Sequence, residues 1–182
     1  ERRTIVAFDE MQAVSDINID EERITFTRGE LKVGSSEGTA DGYVDFEDGF
    51  HFNFKTPGLD FDDVKSLANL KYEGSIALDG MTEGDGGAAI LDTKIKSDSF
   101  YFEDYFLGKT EVNARYEKGF LKLSNFAGAV DELKYTGNIL LHLSDPADIQ
   151  GHVEMPELDL KNLALVFNRK TTLPFQISGR GT

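Results

Sequence analysis

Apolar residues fall on alternate positions along almost the whole chain, in short runs bounded by Gly, Asp, Asn and Ser. Between Tyr43 and Lys55, the residues Val44, Phe46, Phe50, Phe52 and Phe54 are interleaved with Asp45, Glu47, His51, Asn53 and Lys55. Successive side chains of a strand point to opposite faces. Two strands joined around Asp48-Gly49 would therefore gather aromatics on one side and polar groups on the other. The same period recurs at Ile24/Phe26, Leu31/Val33, Ile76/Leu78, Phe100/Phe102, Val112/Ala114/Tyr116, Leu121/Leu123, Ile139/Leu141/Leu143, Leu163/Leu165/Phe167 and Phe175/Ile177. This pattern predicts an all-β chain of about ten or more short strands, each presenting one apolar face.

Turn residues indicate how the strands connect. The chain has 18 Gly against 4 Pro, and Glu47-Asp48-Gly49, Tyr72-Glu73-Gly74, Glu117-Lys118-Gly119 and Tyr135-Thr136-Gly137 stand between alternating runs. Connections this short favour antiparallel neighbours. At most one short helix is expected: Asp60 or Asp62 can cap a segment running to Leu70 through Val64 and Leu67, although Leu59-Asp60-Phe61 alternates like a strand. Thr4 to Ala13 fits strand and helix alike. The string from Phe26 to Val33 resembles that from Tyr116 to Leu123, and Pro57-Gly58-Leu59-Asp60-Phe61 resembles Pro156-Glu157-Leu158-Asp159-Leu160. Preserved order with stretched spacing suits an array of strands with variable hairpins. The expected organisation is an N-terminal strand or linker, 1–23, followed by a repeated sheet, 24–182, with repeat-like units about 26–108 and 116–182. Glu1 in place of Met, and the ending Gly179-Arg180-Gly181-Thr182, read as a piece of a longer protein.

Composition narrows the chemistry. Among 182 residues, 33 are acidic and 19 basic, for a net charge of −14, so no surplus of cations is left to hold polyphosphate backbones or anionic lipid surfaces. There is no Cys, hence no disulfide framework, thiolate zinc site or cysteine nucleophile. No run approaches the roughly 20 apolar residues of a membrane-spanning helix. The pairs Asp60 with Asp62, Glu103 with Asp104, and Asp131 with Glu132 could do acid/base work if their environments split their pKa values. In so acidic a chain they read as solvated loops. His51, His142 and His152 lack metal-ligand spacing, and no Ser sits in a G-x-S-x-G elbow. The stretch from Asp79 to Gly87 lacks the alternate oxygen ligands of a calcium loop and reads as a hairpin. Neither an enzyme nor a cofactor is expected.

Three stretches, from Leu70 to Gly80, from Ala114 to Leu123 and from Leu133 to Leu143, together with the ending from Leu173 to Thr182, resemble the TamB/AsmA-like proteins. Those are envelope proteins of Gram-negative bacteria built from repeated antiparallel strands bent into an apolar groove, or β-taco. The resemblance implies an elongated curved sheet and a periplasmic location, within a full-length protein anchored at the inner membrane. It implies a hydrophobic conduit that shields and passes phospholipid acyl chains, or nascent outer-membrane protein strands, between the two membranes. Outer-membrane assembly proteins would be met through a C-terminal region missing here. Nucleic acid is not an expected partner, and the open sheet edges of such a piece could pair with themselves.

The residues expected to line the groove are Phe26, Val44, Phe46, Phe50, Phe52, Phe54, Ile76, Leu78, Phe102, Leu121, Leu123, Ile139, Leu141 and Leu143. An uncovered apolar face needs an apolar occupant, and each methylene taken out of water contributes about 0.8 kcal/mol without any directional contact. Alternation alone favours a closed β-sandwich whose two halves cover each other, as in a protein-interaction or secretion-system N-like module with Tyr43, Tyr101 and Tyr105 as surface contacts, and the resemblance is what favours the groove. Phe52→Asp or Leu141→Asp should abolish transport with little loss of fold if the face is a wet groove, and should unfold a sandwich.

Overall fold

The computed structural model describes residues 6–8, 10–67, 72–85, 88–102, 105–143 and 148–156. The strands are β1 (Val6–Phe8), β2 (Met11–Ile19), β3 (Arg23–Val33), β4 (Ser36–Asp45), β5 (Gly49–Asp60), β6 (Val64–Leu67), β7 (Tyr72–Glu73), β8 (Ser75–Gly84), β9 (Ala89–Phe102), β10 (Tyr105–Glu117), β11 (Phe120–Val130), β12 (Leu133–His142) and β13 (Asp148–Glu154). All but β1 and β6 belong to one curved, unclosed antiparallel sheet of 11 strands. Its order is β13-β12-β11-β10-β9-β8-β5-β4-β3-β2, with β7 paired to β9 at one side. Along that order each strand lies beside its neighbour in sequence except at β5 and β8, between which the chain leaves the ladder. On that excursion β6 pairs with β1 in a separate two-stranded sheet. The ladder thus runs through a single sheet and does not divide into two stacked ones of similar size.

Local chemistry accounts for the reversals. Asp45 closes the β4–β5 turn by accepting from the backbone N–H groups of Glu47 and Asp48, both at 3.0 Å. In the β10–β11 hairpin both Lys118 and Gly119 have positive φ, 50° and 85°, as a two-residue turn with the twist of the flanking strands demands. Strand β3 continues through Arg28, whose φ of 53° marks a bulge where the register shifts between Phe26 and Gly29. The two similar strings therefore adopt different structures: Phe26 to Val33 is one bulged strand, and Tyr116 to Leu123 bends through a hairpin. Of the second pair of strings, residues 157–160 lie outside the described residues, as do the alternating runs at 163–167 and 175–177.

The helix expected from Asp60 forms only as a 3-10 turn, Phe61–Asp63. Asp60 does cap it, accepting from the Asp62 N–H at 3.0 Å, but Val64 returns to extended backbone and begins β6. Asp63 is held instead by the β3–β4 turn. Its carboxylate accepts from the N–H of Ser35 and of Ser36 at 3.0 Å each and from the Ser36 hydroxyl at 2.6 Å. These bonds, the Ser36 hydroxyl foremost, hold the Asp63 carboxyl below its ordinary value. The ambiguous N-terminal stretch resolves into β1 and β2. Strand β2 is an edge of the main sheet, continuous with β3 through the pairing of Ile19 with Ile24.

Candidate functional site: a charge-free concave face

Residues directly opposite one another in a ladder share a face. The register therefore carries one row across the sheet: Ile17, Phe26, Gly42, Phe52, Thr82, Leu91, Tyr116, Leu121, Leu141 and Ile149, one from each of the ten strands in the order from β2 to β13. The row beside it reads Gly29, Ala40, Phe54, Gly80, Thr93, Ala114, Leu123, Ile139 and Gly151. Towards one end of the strands a shorter row adds Ile19, Ile24, Val44, Phe50, Gly84 and Ala89, and towards the other Thr56, Leu78, Ile95 and Val112 follow one another. Not one acidic or basic side chain stands in these rows.

The opposite face has the reverse character. One of its rows reads Asp41, Asn53, Met81, Asp92, Arg115, Lys122, Leu140 and Gln150. Cross-strand ion pairs lace it: Lys55 to Asp79 at 3.1 Å, Arg115 to Asp92 at 3.0 Å, and both Lys94 and Lys96 to Glu111 at 2.5 and 3.4 Å. The two lysines keep the Glu111 carboxyl below its ordinary range, and Asp92 and Glu117 raise Arg115. His51 and His142 lie on this face. His51 stacks on Tyr43 and approaches Glu83 at 3.3 Å, and His142 stacks on Phe120 with ring centroids 4.4 Å apart. No group of three or more His, Asp or Glu side chains gathers into a metal-ligand set among the described residues.

The uncharged face is the concave one. Over β7 to β12 it encloses a trough of about 380 Å³, walled by Phe61 and Tyr72 on one side and by Leu141 and Leu143 on the other, with Ala114, Val112 and Ile95 among the residues between. The hydroxyls on this face turn back to the protein. Thr82 donates to the Ile90 carbonyl at 3.0 Å, Thr93 to that of Asp79 at 3.3 Å, and Ser97 to that of Ser75 at 2.7 Å. The Tyr135 O–H donates to the Leu107 carbonyl at 2.5 Å and lies 3.0 Å from the Thr110 hydroxyl. Burial pushes the Tyr135 pKa upward, with Thr110 acting in the other direction, so this phenol stays neutral. No buried side-chain N or O atom among the described residues lacks a hydrogen-bond partner.

Glycine shapes the same face. Gly42 stands opposite Phe52, Gly80 opposite Phe54, Gly84 opposite Phe50, Gly128 opposite Tyr135 and Gly137 opposite Phe126. In each pair a ring stands across from a position without a side chain. Phe26 and Phe52 flank Gly42, and their ring centroids come within 5.6 Å of each other. Side chains crowd on the inside of a bend, and their omission there relieves the crowding that would otherwise flatten the sheet.

Of the residues expected to line a groove, Ile76, Leu121, Leu123, Leu141 and Leu143 wall the enclosed trough. Phe26, Val44, Phe50, Phe52 and Phe54 share its face but form a separate apolar stripe, aromatic on β3 and β5, beside the trough. Leu78 and Ile139 lie on the same ladder rows, and Phe102 packs on Tyr72 at 5.6 Å. Phe46 departs from the expectation. Strand β4 ends at Asp45, and Phe46 sits in the following turn, 57% exposed, its N–H donating to the Glu22 carbonyl at 2.9 Å. Leu91, Ile95, Phe100, Val112, Ala114, Tyr116 and Phe126 also line the trough. In β9 the signal was present, Leu91, Thr93, Ile95 and Ser97 alternating with Asp92, Lys94, Lys96 and Asp98, but the hydroxyl residues diluted it.

No family model matches the sequence, no curated protein is similar to it, and no solved structure matches the fold.

Proposed function

We propose that this chain is a segment of a hydrophobic groove that shields and passes phospholipid acyl chains, as the resemblance to TamB/AsmA-like envelope proteins implies. The observation that carries this reading is the face without charge, running from one edge of the sheet to the other. Neighbouring strands lie about 4.8 Å apart, so the rows from β2 to β13 extend roughly 40 Å. A chain of methylenes laid along them leaves water without meeting a charge or an unpaired donor, at about 0.8 kcal/mol per buried CH₂. The proposed role is passive: no bond is made or broken. It belongs in the periplasm, in a protein anchored at the inner membrane.

An apolar peptide, such as a nascent outer-membrane strand, fits this face less well. Laid across the trough it would bury backbone N–H and C=O groups against side chains that offer them no partners, at a cost of a few kcal/mol per group. An acyl chain brings no such groups.

The test is direct. The protein purified from cells is extracted and its lipids identified, and a photo-crosslinkable residue at Phe52 or Leu91 is used to capture an acyl probe. Phe52→Asp should reduce capture at least several-fold while the far-ultraviolet circular dichroism stays that of the parent. A lipid-free protein that takes up no acyl probe at either position would end the proposal.

A further inference from the structure

We infer that two copies of this chain join through their β2 edges into one continuous sheet. Edge strands present a row of unpaired backbone groups, and proteins blunt them with Lys, Pro, inward-pointing charges or very short strands. Strand β2 has nine residues with no Lys or Pro, and its one charge is Asp16, beside the shift of register that the β3 bulge makes between Val14 and Asp16. Its concave-side residues are apolar and open to solvent, with Met11 59% exposed, Ile17 59% and Ile19 67%.

The strand matches itself. Antiparallel pairing about a two-fold axis through its centre, Ser15, sets Met11 opposite Ile19 and Ala13 opposite Ile17, all on the concave side. On the other face it sets Gln12 opposite Asn18. Val14, itself 69% exposed, meets Asp16, whose charge is already engaged by Arg28 of β3 within the same copy. No like charges oppose each other. Among the described residues the far edge is β13, where the same operation sets Asp148 opposite Glu154 twice, with only His152, 3.1 Å from Glu154, as a basic side chain on that face. The apolar face also favours β2, because the Phe26–Phe52 stripe adjoins it and two stripes would fuse across the axis. The inference stands without the acyl-chain reading, since it rests on the edge and not on the trough.

The chain has no cysteine, so a single Ser15→Cys substitution reports on this axis alone. Residues directly opposite in an antiparallel pair have Cα atoms about 4.5–5.5 Å apart, within the span of a disulfide. Mild oxidation of the Ser15→Cys chain should give a covalent dimer and no higher species, and sedimentation of the parent should show a concentration-dependent dimer. Ile17→Lys should weaken that dimer about tenfold or more, as charged edges do, and Ile149→Lys on β13 should leave it unchanged. Both side chains are largely exposed, and circular dichroism checks that both variants stay folded. A parent chain that stays monomeric at its highest soluble concentration overturns the inference. So does an assembly lost with Ile149→Lys but not with Ile17→Lys, and so do head-to-tail oligomers larger than a dimer.

Discussion

At the scale of single residues, the concave face depends on what is left out as much as on what is buried. A Cβ built on Gly42 would run into the backbone carbonyl oxygen of His51 and lie 2.7 Å from both Cα and Cδ1 of Phe52, so Gly42→Ala must push strand β5 aside. We expect a loss of about 1–3 kcal/mol, read from the denaturant midpoint. Tyr135 spans Gly128 to reach the Leu107 carbonyl and is 4% exposed. Tyr135→Phe removes the shorter of two hydroxyl bonds to that carbonyl, leaving the one from Thr110 at 3.4 Å, and should cost about 1 kcal/mol by the same measurement. Leu141→Asp and Phe52→Asp no longer serve as equivalent probes. Leu141 is 7% exposed, so an aspartate there is buried and should unfold the chain. Phe52 is only half-buried and should tolerate the change. Glycine's role was legible in parity, because Gly38 and Gly42 share even numbers with Val44, and Gly80 and Gly84 with Ile76 and Leu78. Gly137, which reads as a turn residue in the sequence, lies inside β12, and Gly80 and Gly84, which read as part of a hairpin, lie inside β8, because a residue without a side chain adds nothing to a hydropathy pattern.

At the scale of elements, the period of two made the strands readable, and the exceptions lie where a tertiary contact outbid local preference. Asp60 through Leu70 carries a sound helix start, yet Val64–Leu67 pairs with Val6–Phe8 and Asp63 is claimed by the β3–β4 turn across 27 residues of sequence. That tie gives the excursion between β5 and β8 a pH dependence. The folded Asp63 pKa lies below the ordinary value of 3.8, so the carboxylate stabilises the folded chain above that value. Its contribution is lost as pH falls through the lower, folded value. Unfolding curves collected down the acid range should therefore lose stability there, and Asp63→Asn should remove that part of the profile while leaving neutral pH less stable than the parent. Equal acid sensitivity in both proteins would show that Asp63 is not the group responsible. Bulges were not readable: Arg28 and Asn125 adopt positive φ inside strands where only the neighbouring ladders reveal the shift of register.

At the scale of the whole molecule, charge and apolarity are sorted onto opposite faces of one sheet, and the net charge of −14 surrounds a trough that holds none. Under the proposed acyl-chain reading, an anionic headgroup would meet a repulsive field that salt screens. Uptake of a phosphatidylglycerol probe should therefore rise several-fold between about 10 mM and 0.5 M salt, while that of a zwitterionic phosphatidylcholine probe of the same chain length should change little. Fluorescence titration against vesicles of each composition measures both. Equal salt dependence for the two lipids would remove the electrostatic account and leave the apolar one standing.

The order of apolar and polar residues, by itself, determined that the chain is all-β, antiparallel and one-sided, because the alternation of side chains in a strand is a property of each residue's own backbone. It also placed most of the aromatic stripe on one face by parity alone. Which parts of that face close into a trough, which strands end as open edges, and why Phe46 leaves the face its neighbours share were decided by pairing and curvature. Those depend on residues far apart in sequence meeting in register, and no local pattern encodes where a ladder stops or how tightly it bends.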